Sequence, residues 1–128
     1  MLVGMTKDKK QRNNEEMKWK TLSSKQLIDR PWMRVRCDKV QLPDGRVHEE
    51  YYVLSYPSWV NVIAETEEGD IILERQYRHG LDIVSTEICA GVMEEGETPL
   101  EAAQRELEEE TGYGGGEWKE IMTVAPNP

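Results

Sequence analysis

Residues 91–113 read GVMEEGETPLEAAQRELEEETGY, and no other stretch restricts the chain so tightly. Gly91, Glu97, Arg105, Glu106, Glu109, Glu110 and Gly112 stand at fixed intervals: Gly, five residues, Glu, seven residues, then R-E-(bulky apolar)-x-E-E-x-G-(bulky apolar). Leu107 and Tyr113 occupy the apolar slots. The local signals predict a helix over 99–111. Thr98 suits the N-cap, Pro99 the first helical position, Glu101 the capping box and Gly112 the residue after the helix. Leu100, Ala103 and Leu107 recur at helical spacing and are expected on the buried face. Glu106 and Glu110, four apart, share another face, with Glu109 beside them.

Glu108, Glu109 and Glu110 crowd the last turn, where the helix dipole is negative. Each carboxylate there is disfavoured by about 0.3–1 kcal/mol before mutual repulsion, and Arg105 offsets only part of this. A merely solvated face would favour Lys or Arg at that end. A bound divalent cation removes the conflict. Hard oxygen ligands with retained water suit Mg2+, with Mn2+ as substitute.

The pattern resembles the Nudix box, the signature of the Nudix hydrolase family. A chance match at seven positions is on the order of 10⁻⁹ per window. Tyr113 stands where an aliphatic residue is commoner. The similarity extends from about Trp32 onward and resembles the ADP-ribose pyrophosphatase branch. Gln76-Tyr77-Arg78 matches that branch's strand ending. Glu87-Ile88-Cys89-Ala90-Gly91 matches its entry to the box, with Cys89 replacing the usual Pro.

This resemblance implies an α/β (α+β) fold, a mixed-sheet sandwich with an N-terminal antiparallel hairpin and the box helix packed on the sheet. It assigns Glu106 and Glu110 as principal metal ligands, Glu109 as further ligand or base, and the Ala90 carbonyl as another ligand. Glu97 and Arg105 would orient the loop and the glutamates. Arg78 would meet phosphate or the terminal ribose, Trp32 would stack on the base, and Glu87 would line the pocket. The implied reaction is magnesium-assisted hydrolysis of a pyrophosphate bond, giving AMP and ribose 5-phosphate from ADP-ribose. GDP-mannose or another nucleotide-sugar is the alternative substrate. A homodimer that exchanges hairpins is implied as well, with Trp32 near the partner's substrate.

The other regions read as follows. Residues 1–17 form a polar tail. Residues 18–57 hold a short strand over 18–22 and a hairpin of 33–41 with 47–56. Residues 58–128 hold a second hairpin (59–66 with 71–77), a strand over 84–88, the box helix, and a strand over 117–124 after a flexible Gly114-Gly115-Gly116. A chain of 128 residues is expected as one folding domain.

The net charge of −9 disfavours nucleic-acid and anionic-membrane partners, and no apolar run approaches a membrane span. Without an export signal, Cys37 and Cys89 read as reduced thiols of a cytoplasmic protein. His48 and His79 match no zinc spacing, and there is no Gly-x-Ser-x-Gly and no P-loop.

Only 15 residues follow Tyr113, whereas members of the resembling branch continue with further strands and a second long helix. The chain is therefore expected to be C-terminally shortened, with Leu100, Leu107 and Ile121 beside an uncovered apolar gap. This keeps a second function class open: a non-catalytic nucleotide-sugar binding or assembly module.

Overall fold

The computed structural model describes residues 13–126 and divides into two compact units, residues up to 56 and residues from 57. Most of the polar tail, residues 1–12, lies outside the described residues. Asn14–Met17 form a single helical turn, α1, capped by Asn13. No helix among the described residues is long and apolar enough to cross a membrane.

The first unit is a three-stranded antiparallel sheet of β1 (Lys20–Arg30), β2 (Met33–Gln41) and β3 (Val47–Ser55), in that order. The expected hairpin of 33–41 with 47–56 is β2 and β3. Gly45, at φ 89°, closes its turn and donates its N–H to the Leu42 carbonyl. The β2 side chains alternate in exposure, as a half-buried strand requires. Asp38 is its buried charge. It accepts hydrogen bonds from Ser24 Oγ (2.5 Å) and Arg36 Nε (3.0 Å), which hold its pKa below the ordinary value.

The expected short strand over 18–22 is instead the eleven-residue β1. The ladder skips Leu22 and Leu27, one at each of two register shifts. Each bulge turns the following side chains to the other face, which removes the alternation that marks a strand in sequence.

The second unit corrects the expected pairing over 59–77. Only one bridge, Glu65 with Ile71, joins those two segments across the Glu67–Asp70 turn. The strand β4 (Trp59–Val62) pairs antiparallel with β7 (Cys89–Val92). The strand β5 (Glu74–Arg78) pairs antiparallel with β6 (Ile83–Glu87). Expected strand 84–88 is therefore β6, which ends one residue earlier. Residues 117–124 form no strand: this segment is irregular. Trp118 nevertheless packs on the core and donates Nε1–H to the Gly115 carbonyl.

The helix α2 (Pro99–Thr111) has the expected bounds. Its capping box is complete: the Thr98 hydroxyl accepts from the Glu101 N–H, and the Glu101 carboxylate accepts from the Thr98 N–H. Gly112 takes φ 74° and donates to the Glu108 carbonyl. The helix packs on β4 and β7. Val62, Cys89 and Leu107 form the buried core, with Ala64, Ala103 and Trp118 against it.

Two expectations about the helix face change. Leu100 is exposed, and the helix buries Ala102 and Leu107 instead, on the face that meets β4 and β7. Leu107 is core, not the edge of an uncovered gap; Leu100 and Ile121 are both exposed. The result is an α+β arrangement in which β7 hands the chain directly to the box.

Candidate metal and phosphate site

The site grows from the junction of β7 and α2. A single side chain organises it. Arg105 donates Nε and Nη2 to the two oxygens of Glu97 (2.7 and 2.9 Å), Nη2 to the Val92 carbonyl (3.0 Å), and Nη1 to Glu106 (2.8 Å) and Glu109 (3.2 Å). The fork of guanidinium donors matches a carboxylate edge to edge. Glu97 also accepts the Glu94 N–H at 2.8 Å, so the loop between β7 and α2 is tied to the helix. The Arg105 bonds and that backbone bond hold the Glu97 carboxyl at about 2, down from 4.5. The same carboxylates raise the Arg105 pKa.

Gly91 is required by contact rather than by φ. A Cβ at this position would overlap the Glu106 carboxylate carbon and both its oxygens. The box glycine and the box glutamate therefore occupy one another's space, and Glu106 lies directly over the β7 backbone. Cys89, one residue beyond Ala90, is 1% exposed and donates Sγ–H to Glu110 Oε2 at 3.5 Å. Burial first, then Glu110, push this thiol up to about 12, so it stays protonated and donating. Glu106, Glu109 and Glu110 are each held through a single oxygen.

Against β4 and β7 lies an open cleft of about 550 Å³, lined among others by Trp59, Asn61, Arg78, Glu87, Ala90 and Gly91. Arg78 grips Glu87 through Nε to both oxygens (3.0 Å each) and through Nη2. That pair lowers the Glu87 pKa and raises that of Arg78.

The structure thus brings together Glu97, Arg105, Glu106 and Glu109, places Glu110 beside Cys89, and puts Arg78, Glu87 and Ala90 on the cleft. Trp32 belongs to the first unit, in the turn between β1 and β2, and is 71% exposed.

Three residues were missed by the sequence reading. In sequence Cys89 marks a departure from proline and a reduced thiol; in the structure it is also the partner of Glu110. Trp59 lines the cleft. Glu74 opens β5 with Oε1 buried and without a hydrogen-bond partner. Burial first, then contact with Glu110 and the charges of Glu110 and Glu87, raise its pKa against the opposing pull of Arg78. Its signal was a lone acid directly after Ile71-Ile72-Leu73.

The donor set suits a hard divalent cation: carboxylate oxygens, one over a glycine that leaves them room, and an orphaned buried oxygen nearby. Among the described residues no three His, Cys, Asp or Glu side chains form a preformed cage. Arg105 draws Glu106 and Glu109 one way and Cys89 draws Glu110 another.

Residues 19–54 match the family model "Nucleoside diphosphate sugar hydrolase N-terminal domain", and residues 56–126 match "NUDIX domain". The chain belongs to the NUDIX family. It is 37% identical over 109 residues to the methanol dehydrogenase activator of Bacillus methanolicus and 36% identical over 109 residues to the ADP-ribose pyrophosphatase of Bacillus subtilis (strain 168). Each alignment covers 85% of this chain and 58% of the relative. A solved ADP compounds hydrolase shares the fold, with TM-score 0.68 and 24% identity over 78% of this chain and 54% of that one. The chain spans little more than half the length of the relatives it matches.

The Glu97 carboxylate has a depressed folded pKa, so its contribution to stability is complete above about pH 4.5 and is lost as pH falls towards about 2. The melting temperature should fall over that window more steeply in the parent chain than in Glu97→Gln. Parallel profiles from thermal denaturation at pH 2–6 would contradict the network.

Proposed function

We propose that the chain carries the metal and phosphate site of a Mg2+-dependent pyrophosphohydrolase acting on a nucleoside diphosphate linked to another moiety, with ADP-ribose foremost. The carrying observation is the Arg105 network. It draws Glu97, Glu106 and Glu109 together at the end of β7, whose Ala90 and Gly91 also line the cleft that holds Arg78. The relative named as an ADP-ribose pyrophosphatase supports this substrate. GDP-mannose and other nucleotide-sugars share the same diphosphate chemistry.

In this reading Glu106, Glu110 and the Ala90 carbonyl hold the cation, with Glu109 as additional ligand or base. Mn2+ is a substitute of the same ligand preference. When bound, the cation neutralises the diphosphate and lowers the pKa of an attacking water. Arg105 and Glu97 fix the carboxylates, so their geometry is set before substrate arrives. Arg78 turns from Glu87 to a phosphate oxygen, Glu87 stays in the pocket wall, and Trp32 stacks on a base. Water's oxygen attacks one phosphorus, the bridging P–O bond breaks, and a glutamate takes the water's proton. ADP-ribose yields AMP and ribose 5-phosphate. The free Cys37 and Cys89 accord with a cytoplasmic location.

The relative named as a methanol dehydrogenase activator favours a second reading, in which the fold serves a partner protein rather than turnover alone. A non-catalytic nucleotide-sugar module belongs to the same class. The two separate in one assay. ADP-ribose and a sugar-nucleotide panel are incubated with Mg2+ and either this chain or a form extended past Pro128. The enzymatic reading expects turnover of about 1–10³ s⁻¹ in the extended form. Binding without turnover in both would support the module.

The three-stranded sheet supports a homodimer. Among the described residues its outer strands β1 and β3 are unpaired edges, and Leu27, Ile28, Tyr51, Tyr52 and Leu54 are exposed on it. In that dimer the exposed Trp32 reaches the partner's substrate. Light scattering should give twice the chain mass at micromolar concentration. A monomer at every concentration would remove this part of the proposal.

A further inference from the structure

The acid that opens β5 has no role in the site as described so far. Glu74 stands directly across the ladder from Glu87. Like charges opposite one another destabilise a strand pair. Glu87 escapes the conflict because Arg78 grips it with three hydrogen bonds. Glu74 does not: its Oε1 is buried and accepts nothing.

What surrounds this carboxyl is chiefly more negative charge. Glu110 lies within hydrogen-bonding reach of it. Around the Cys89 thiol, Glu110, Glu74 and Glu106 gather from two elements, β5 and α2. The cationic group that acts on it, Arg78, is committed to Glu87. Packing alone gives no reason for an acid here. A glutamine of the same shape would donate to Glu110, and an aliphatic residue would continue the Ile71-Ile72-Leu73 run. A half-buried carboxylate with one oxygen shut off from water beside other carboxylates is accounted for when a positive group arrives between them.

We propose that Glu74 is a further carboxylate of the cation site, sharing the ion with Glu110. The ion then lies between β5 and the last turn of α2, and one of its ligands comes from outside the box. Glu74 also couples the cation to the cleft, since Arg78 and Glu87 follow on the same two strands. This rests on the proposed reading of the box as a cation site.

The test is a calorimetric titration of the chain with MgCl2 alone, on the parent and on Glu74→Gln, Glu74→Asp and Glu110→Gln, with melting temperatures in EDTA. Glu74→Gln should keep or raise the metal-free melting temperature, because an acid–acid contact becomes an amide–acid hydrogen bond. Its Mg2+ affinity should fall at least about tenfold, and Glu74→Asp should recover part of it. Parent-like affinity in Glu74→Gln, with affinity lost in Glu110→Gln, overturns the role of Glu74 and leaves the box intact. A lower metal-free melting temperature with weaker binding that Asp does not relieve assigns Glu74 to packing, which also overturns it. Parent-like affinity in Glu110→Gln as well overturns the box reading itself.

Discussion

The interaction on which the rest of the second unit depends is the Arg105 guanidinium. The helix end gathers acids where its dipole is already negative, a cost the fold does not need for packing. Arg105 converts that cost into geometry. One flat donor group ties the loop through Glu97, the strand through the Val92 carbonyl, and the helix through Glu106 and Glu109. It lies partly out of solvent, with its side chain 23% exposed and that of Glu97 18% exposed. Its hydrogen bonds are therefore less diluted by water than a surface pair's would be. Lysine could supply the charge but not the fork.

The packing explains why this device sits where it does. Ala102 and Leu107 seat α2 on β4 and β7, and Val62 and Cys89 complete the core. With that contact made, Glu106 is pressed against Gly91, where a methyl group would already collide with it. Cys89 serves twice, as a core side chain and as the donor that orients Glu110. A separate strand pair, β5 with β6, carries Arg78 and Glu87 to the cleft, while the core and the box carboxylates meet at the seam of β4, β7 and α2.

The local signals of the sequence were readable and the non-local ones were not. The bounds of α2 follow from Thr98, Pro99, Glu101 and Gly112, each acting within one turn. The β2–β3 hairpin follows from the alternation of Met33, Val35 and Cys37 with charged residues and from the Pro43-Asp44-Gly45 turn. Pairing of β4 with β7 depends on segments separated by a whole hairpin, and the short Glu67–Asp70 turn suggested a nearer partner. Two bulges erased the period of β1. Leu100 looked buried because helical spacing marks a stripe but not where the stripe meets its support. Glu74 was invisible for a related reason: which way a strand residue faces is settled by its ladder with β6, not by its own type. The box residues were legible because their spacing is a property of one helix and its preceding loop.

The central claim is that the Arg105 fork, more than its charge, orders the carboxylates for a cation. Arg105→Lys keeps the charge and loses the fork, so a Mg2+ titration of this variant isolates the geometry. The account predicts helical content unchanged by circular dichroism and Mg2+ affinity lower by about tenfold or more. Parent-like affinity with an intact helix would contradict it.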